Sequence, residues 1–237
     1  MKHSYYVDRR TDADTPRILL RRALDALAQP HVKHVTIRAS FDSEAMEKIA
    51  GAVAKSSLTS LRVLGTLSRL DITALTEALV QNPAVTRLDV SLRKDREGDL
   101  TAVLMDRLHL TGMTHLTLND MAMDTVQMRA VAGALLHPKT QLKTLVMRVL
   151  GVYACESHDI GTLAAGLRDN TVLEHLYSGI IYCSDEAFLE ALEYNTSLVK
   201  CDPVRTDHGF SIYDLRSHKT DTPKCRLMKK LLSKRCC

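Results

Sequence analysis

The sequence predicts an α/β fold: a curved solenoid with a parallel concave sheet, convex helices and helical caps. Three observations predict it. A six-residue phrase with apolar first and fourth positions recurs seven times, its starts 26, 27, 28, 29, 31 and 25 residues apart. Each phrase alternates with period 2, whereas the stretch that follows it places apolar residues with period 3.6. A unit of this length cannot bury its own apolar face, so neighbours must stack.

Residues 1–31 read as an N-terminal segment and a capping helix. The opening MKHSYYVDRRTD lacks the apolar stretch of a secretory signal. Thr15-Pro16 begins a helix over 15–29, with Ile18, Leu19, Ala23, Leu24 and Leu27 on its apolar side. Residues 32–203 are the solenoid, of about seven repeats. Val32-x-x-Val35-x-Ile37 is its first strand phrase and Leu58-x-x-Leu61-x-Val63 its second. After the second, Ile72, Leu75 and Leu79 share one helical face, and Asn82-Pro83 stops that helix. Val85-x-x-Leu88-x-Val90 is the third phrase. The charged stretch Ser91–Leu100 (SLRKDREGDL) after it reads as a looser excursion. Met113-x-x-Leu116-x-Leu118 and Leu142-x-x-Leu145-x-Met147 continue the series. Leu173-x-x-Leu176-x-Ser178 precedes a helix capped by Ser184-Asp185, carrying Phe188, Leu189 and Leu192, and ended by Asn195-Thr196. Leu198-x-x-Cys201-x-Pro203 closes the series. Residues 204–237 form a C-terminal cap and basic tail. There Thr222-Pro223 starts a helix with Leu227, Met228, Leu231 and Leu232 on one side.

The helix exits recur almost verbatim: LTEALVQN ending at Asn82, LAAGLRDN at Asn170 and LEALEYN at Asn195. The strand phrase, the intervening helix and the A/G-L-x-x-N-T-x-L exit together resemble leucine-rich repeats. The period of 25–31 residues resembles the ribonuclease-inhibitor-like subclass, a period also seen in the NOD-like receptor and Ran GTPase-activating families. The resemblance covers 32–203 and implies the solenoid. That family usually places Asn or Cys three residues after the last strand apolar, bonding backbone around the bend. Here the position holds Ser40, Thr66, Arg93, Met121, Leu150 and Ile181, of which only Ser40 and Thr66 could serve, by hydroxyl.

Hydrophobic residues are 45% of the chain, Trp is absent and Phe occurs three times. A core of Leu, Val, Ala and Met suits stacked repeats. No run of about 18 apolar residues predicts a membrane span. Residues 216–237 hold eight Lys or Arg against Asp221 alone, so this tail carries +7 and the rest of the +4 chain −3. The six cysteines show neither C-x-x-C nor zinc-finger spacing and read as reduced thiols in a cytoplasmic protein. The terminal pair Cys236-Cys237 resembles the doubly prenylated tail of Rab-type GTPases, and palmitoylation is the alternative lipid. Membrane association is expected only through this tail. The competing reading is a capping helix ending in two free thiols.

Catalysis has no support: G-x-S-x-G, Walker, H-E-x-x-H and Rossmann patterns are absent. The expectation is a non-enzyme without cofactor or metal. His34, His115 and His175 share a strand position, but the last two lie two repeats apart, about 10 Å at sheet spacing. A shared metal sphere needs shorter distances. Strand residues between the buried ones face outward. One column reads His34, Ser60, Arg87, His115, Thr144, His175, Lys200. The next reads Thr36, Arg62, Asp89, Thr117, Val146, Tyr177, Asp202, and a third includes Arg38, Leu64, Ser91, Asn119, Arg148 and Gly179. Arg62, Arg87, His115, Arg148, His175 and Tyr177 are the candidate partner contacts, being residue types that anchor interfaces. The expected function is non-catalytic binding of a protein partner through the concave sheet. The alternatives are regulation of a small GTPase, as the Ran-activator resemblance implies, and a bacterial effector acting on host proteins. Nucleic acid is disfavoured, because the tail has no aromatic after Tyr213 and the columns form no continuous basic groove.

Overall fold

The seven phrases become seven of the eight strands of one sheet. The computed structural model describes residues 4–8, 16–92, 100–121, 125–149, 157–178 and 186–202. The elements, in order, are β1 (Ser4–Asp8), α1 (Pro16–Leu27), β2 (His34–Arg38), α2 (Ser43–Lys55), β3 (Ser60–Val63), α3 (Arg69–Gln81), β4 (Arg87–Ser91) and α4 (Leu100–Asp106). A 3-10 turn (Leu108–Leu110) then leads into β5 (His115–Met121), α5 (Thr125–Leu136), β6 (Thr144–Val149), α6 (Ser157–Arg168), β7 (His175–Ser178), α7 (Glu186–Tyr194) and β8 (Lys200–Asp202). The expected helix from Thr222, Cys236-Cys237, Pro203, Gly179, Arg93, Leu150, Ile181 and most of the charged excursion lie outside the described residues.

The sheet order is β1 to β8 in sequence, and every pair is parallel. Parallel neighbours need a crossover, and each helix supplies one. Register aligns Val35, Leu61, Leu88, Leu116, Leu145, Leu176 and Cys201 in one row. All seven are buried, as are Ile37, Val63, Val90, Leu118, Met147 and Ser178 two residues on. The strand residues between them are mostly half-exposed. One face of the sheet is therefore sealed and the other open. Consecutive helices pack against one another on the sealed side. Helices with their side chains are about 10 Å wide but strands sit about 4.8 Å apart. The sheet accordingly curves with its open face inward, giving a solenoid-like α/β architecture.

The joints between units are hydrogen-bonded one repeat to the next. The Lys33 carbonyl accepts from the Thr59 and Ser60 N–H groups, and Thr59, Thr86, Thr114, Lys143 and Glu174 repeat the pattern onward. The recurring exit asparagines are buried in these joints. Asn195 Nδ2 donates to the Leu167 and Asn170 carbonyls (2.6 and 2.8 Å), while its Oδ1 accepts from the Ser197 and Leu198 N–H groups. Asn170 reaches Leu135, and Asn82 reaches Val53 and Ser56, in the same manner. An asparagine ladder is thus present, at the helix-to-strand bend rather than the strand-to-helix bend. At the latter, Ser40 Oγ accepts from the Thr66 N–H (3.1 Å), as its hydroxyl allowed. Gly112 marks another tight joint, where a Cβ would overlap the Pro83 carbonyl of the preceding repeat.

Two local features depart from the sequence reading. Residues 4–8 form a strand, β1, pairing Tyr5 with Val35 and Val7 with Ile37. Only Val7 of its inward positions is buried, and Tyr5 stays 39% exposed at the sheet end. The phrase is absent there, so periodicity could not find the strand. In α1, Leu19, Ala23 and Leu27 are buried as expected, but Ile18 is exposed because it lies beside the packed stripe.

Candidate functional site

The open face is built of side chains in register across the strands. Its first row runs Ser4, His34, Ser60, Arg87, His115, Thr144, His175, Lys200. Its second runs Tyr6, Thr36, Arg62, Asp89, Thr117, Val146, Tyr177, Asp202. Both contain the columns expected from the phrases, with one residue added by β1. The third is less regular. Ser91 pairs with Asn119, but the register shifts between Leu118 and Met121. Asp120 sits at that shift with φ 61°, in the left-handed region that Asp tolerates better than most residues.

The shift turns side chains toward one another. Ser91 and Asn119, expected on the solvent side, are buried beneath their polar neighbours. Ser91 Oγ donates to Asp120 Oδ2. Asn119 Nδ2 donates to Asp89 Oδ1 and to the Val90 carbonyl. Arg148 Nη1 donates to Asn119 Oδ1 (3.2 Å). Arg62 Nε lies 2.7 Å from Asp89 Oδ2, an ion-pair contact whose N–H is not aimed at the oxygen. Arg62, Asp89, Asn119 and Arg148 thereby form a polar chain across β3 to β6. Sequence columns placed these residues on the face but not in contact with each other. The usable signal was Asp89 beside Arg62 in one column.

Arg87 differs from the other two arginines. Its side chain is exposed and makes no hydrogen bond or ion pair among the described residues. It rims a shallow depression of about 230 Å³ lined by Ser60, Asp89, His115, Thr117 and Thr144. His115 Nδ1 lies 2.8 Å from Thr114 Oγ1. Burial, then the nearby Arg87 and His175, push the His115 pKa below its ordinary value. His175 Nδ1 is enclosed without a partner. The Tyr177 ring lies 5.4 Å from Lys200 Nζ, within cation–π range. The first row thus gathers Arg87, His115 and His175, and the second holds Arg62 and Tyr177. Arg148 joins them through Asn119.

Among the described residues no group of three or more His, Cys, Asp or Glu could hold a metal ion. No helix among them is long and apolar enough to cross a membrane. Cys201 is buried in β8. The chain matches no protein-family model, and no curated protein matches it.

Proposed function

We propose that this chain is a divergent leucine-rich-repeat protein that binds a protein partner on the open face of its sheet and catalyses no reaction. The parallel strand–helix units, the buried phrase positions and the asparagine-braced joints support the repeat reading. The observation that carries the binding reading is Arg87: an exposed guanidinium without a partner among the described residues, on a strand, beside a depression lined with polar groups. A strand backbone is already ordered, so the ordering cost of binding is confined to the side chains. Tyr177 adds an aromatic surface three strands away.

Affinity capture with the wild-type chain and with Arg87→Ala/Tyr177→Ala tests this. Both side chains lie outside the core, so the double variant should keep its thermal stability within about 1 kcal/mol and lose the captured partner. Undiminished capture would place the interface on another surface.

A further inference from the structure

We propose that the partner presents an extended acidic segment, which crosses the strands and sets its carboxylates along the first row, from Arg87 on β4 to Lys200 on β8. This deepens the binding reading above and rests on it. The row holds Ser4, His34, Ser60, Arg87, His115, Thr144, His175 and Lys200, and no carboxylate. Two acids beside it are engaged: Asp89 with Arg62 and Asn119, and Glu174 with Lys143 at 2.8 Å. The Arg87 side chain has no ion-pair partner among the described residues, and Ser60, Thr144 and the engaged Asp89 line the same depression. A carboxylate entering there would meet the Arg87 guanidinium and hydroxyl donors, while the one acid of the lining, Asp89, is already held by Arg62 and Asn119.

The dimensions suit an extended segment. Four strand spacings separate β4 from β8, about 19 Å, which about six extended residues span at roughly 3.3 Å each. Alternate side chains of such a segment point at the sheet. Nucleic acid fits less well. The first row has no Tyr, Phe or Trp on which bases could stack.

His115 makes the interaction pH-dependent. The charged or titratable groups around it are Arg87 and Asp89 on β4, His175 on β7, and Lys143 and Glu174 just before β6 and β7. Arg87, His175 and Lys143 disfavour its proton, and Glu174 favours it. A carboxylate arriving on the row shifts that balance, so binding should draw a proton onto the ring. By linkage, affinity rises as pH falls.

The test titrates the full chain with a synthetic peptide of about eight residues, Glu alternating with Thr, long enough to cross the row. A Gln-for-Glu peptide and a single-stranded oligonucleotide of equal charge are the comparison probes. Fluorescence anisotropy reads affinity at about pH 6 and about pH 8, on either side of the ordinary imidazole range. NMR of the His115 ring protons reads its titration. The Glu peptide should bind more tightly at the lower pH and raise the His115 titration midpoint. Arg87→Ala should weaken it about tenfold, the usual scale for an arginine anchor. Arg129→Ala, on the exposed side of α5, should change nothing. Equal binding of the Glu and Gln peptides, indifference to Arg87→Ala, or preference for the oligonucleotide would overturn the proposal. If a captured partner requires Arg87 and Tyr177 but the Glu peptide does not displace it, the acidic segment fails and the face reading stands. Capture indifferent to both residues is the separate failure of the face reading.

Discussion

Leu116 shows how little latitude one core position has. It is fully buried in the central inward row, flanked in register by Leu88 and Leu145. Leu116→Asp would bring an unpaired carboxylate into that row, at a cost of more than about 4 kcal/mol. Loss of the cooperative circular-dichroism transition is the expected outcome. Asn195 is constrained differently: its Nδ2 bonds two carbonyls of the preceding repeat and its Oδ1 two N–H groups of its own turn. Asn195→Ala removes the acceptor of two N–H groups and one of the donors to each of two carbonyls, and should cost roughly 2–3 kcal/mol in denaturant unfolding. His115 adds a pH term. Its folded pKa lies below the unfolded value of about 6.5, so folding favours the neutral ring. Its contribution is complete above that value and is lost as pH falls through the folded pKa. His115→Gln should flatten the fall in melting temperature below about pH 6.5, as read by calorimetry.

Helices here are held by their ends as much as by their faces. α2 begins at Asp42, whose carboxylate accepts from the Ala45 N–H (2.8 Å). α3 begins with a reciprocal capping box: Ser68 Oγ accepts from the Asp71 N–H, and Asp71 Oδ2 accepts from the Ser68 N–H. A cap also fixes the angle at which each chain leaves the sheet, and with it the position of the next strand. Ser68→Ala should destabilise the protein by about 1 kcal/mol, a shift in urea midpoint without a change in slope. At the opposite ends, Asn82, Asn170 and Asn195 or the hydroxyls of Ser56, Thr111 and Thr140 bond the last helical carbonyls or those of the previous repeat. The similar exits seen in the sequence are therefore joints, and their polar residue is buried because the joint is.

The whole molecule is a stack in which each strand–helix unit contacts chiefly its neighbours. Stability in such a stack is a sum of unit and interface terms, so damage to a joint acts locally before it acts globally. The architecture was legible from the chain because its signals are local. Period 2 in the phrases marked β2 to β8, and period 3.6 marked the helices between several of them. The first-row residues Arg87, His115 and His175 were legible too, since side chains alternate along any strand. Other features were not. β1 lacks the phrase and is defined by its pairing with β2. The link from Arg62 through Asp89 and Asn119 to Arg148 joins residues on four strands, and it depends on the register shift after Leu118. Arg62, Arg87 and Arg148 look equivalent as sequence, yet two are tied to neighbours and one is free to meet a ligand. Sequence by itself determined which face each residue takes, because that is set by the dihedral periodicity of its own segment. Which side chains meet across the face was decided only by tertiary structure, because adjacent strands are 25 to 31 residues apart in the chain and their register is fixed by how whole repeats stack.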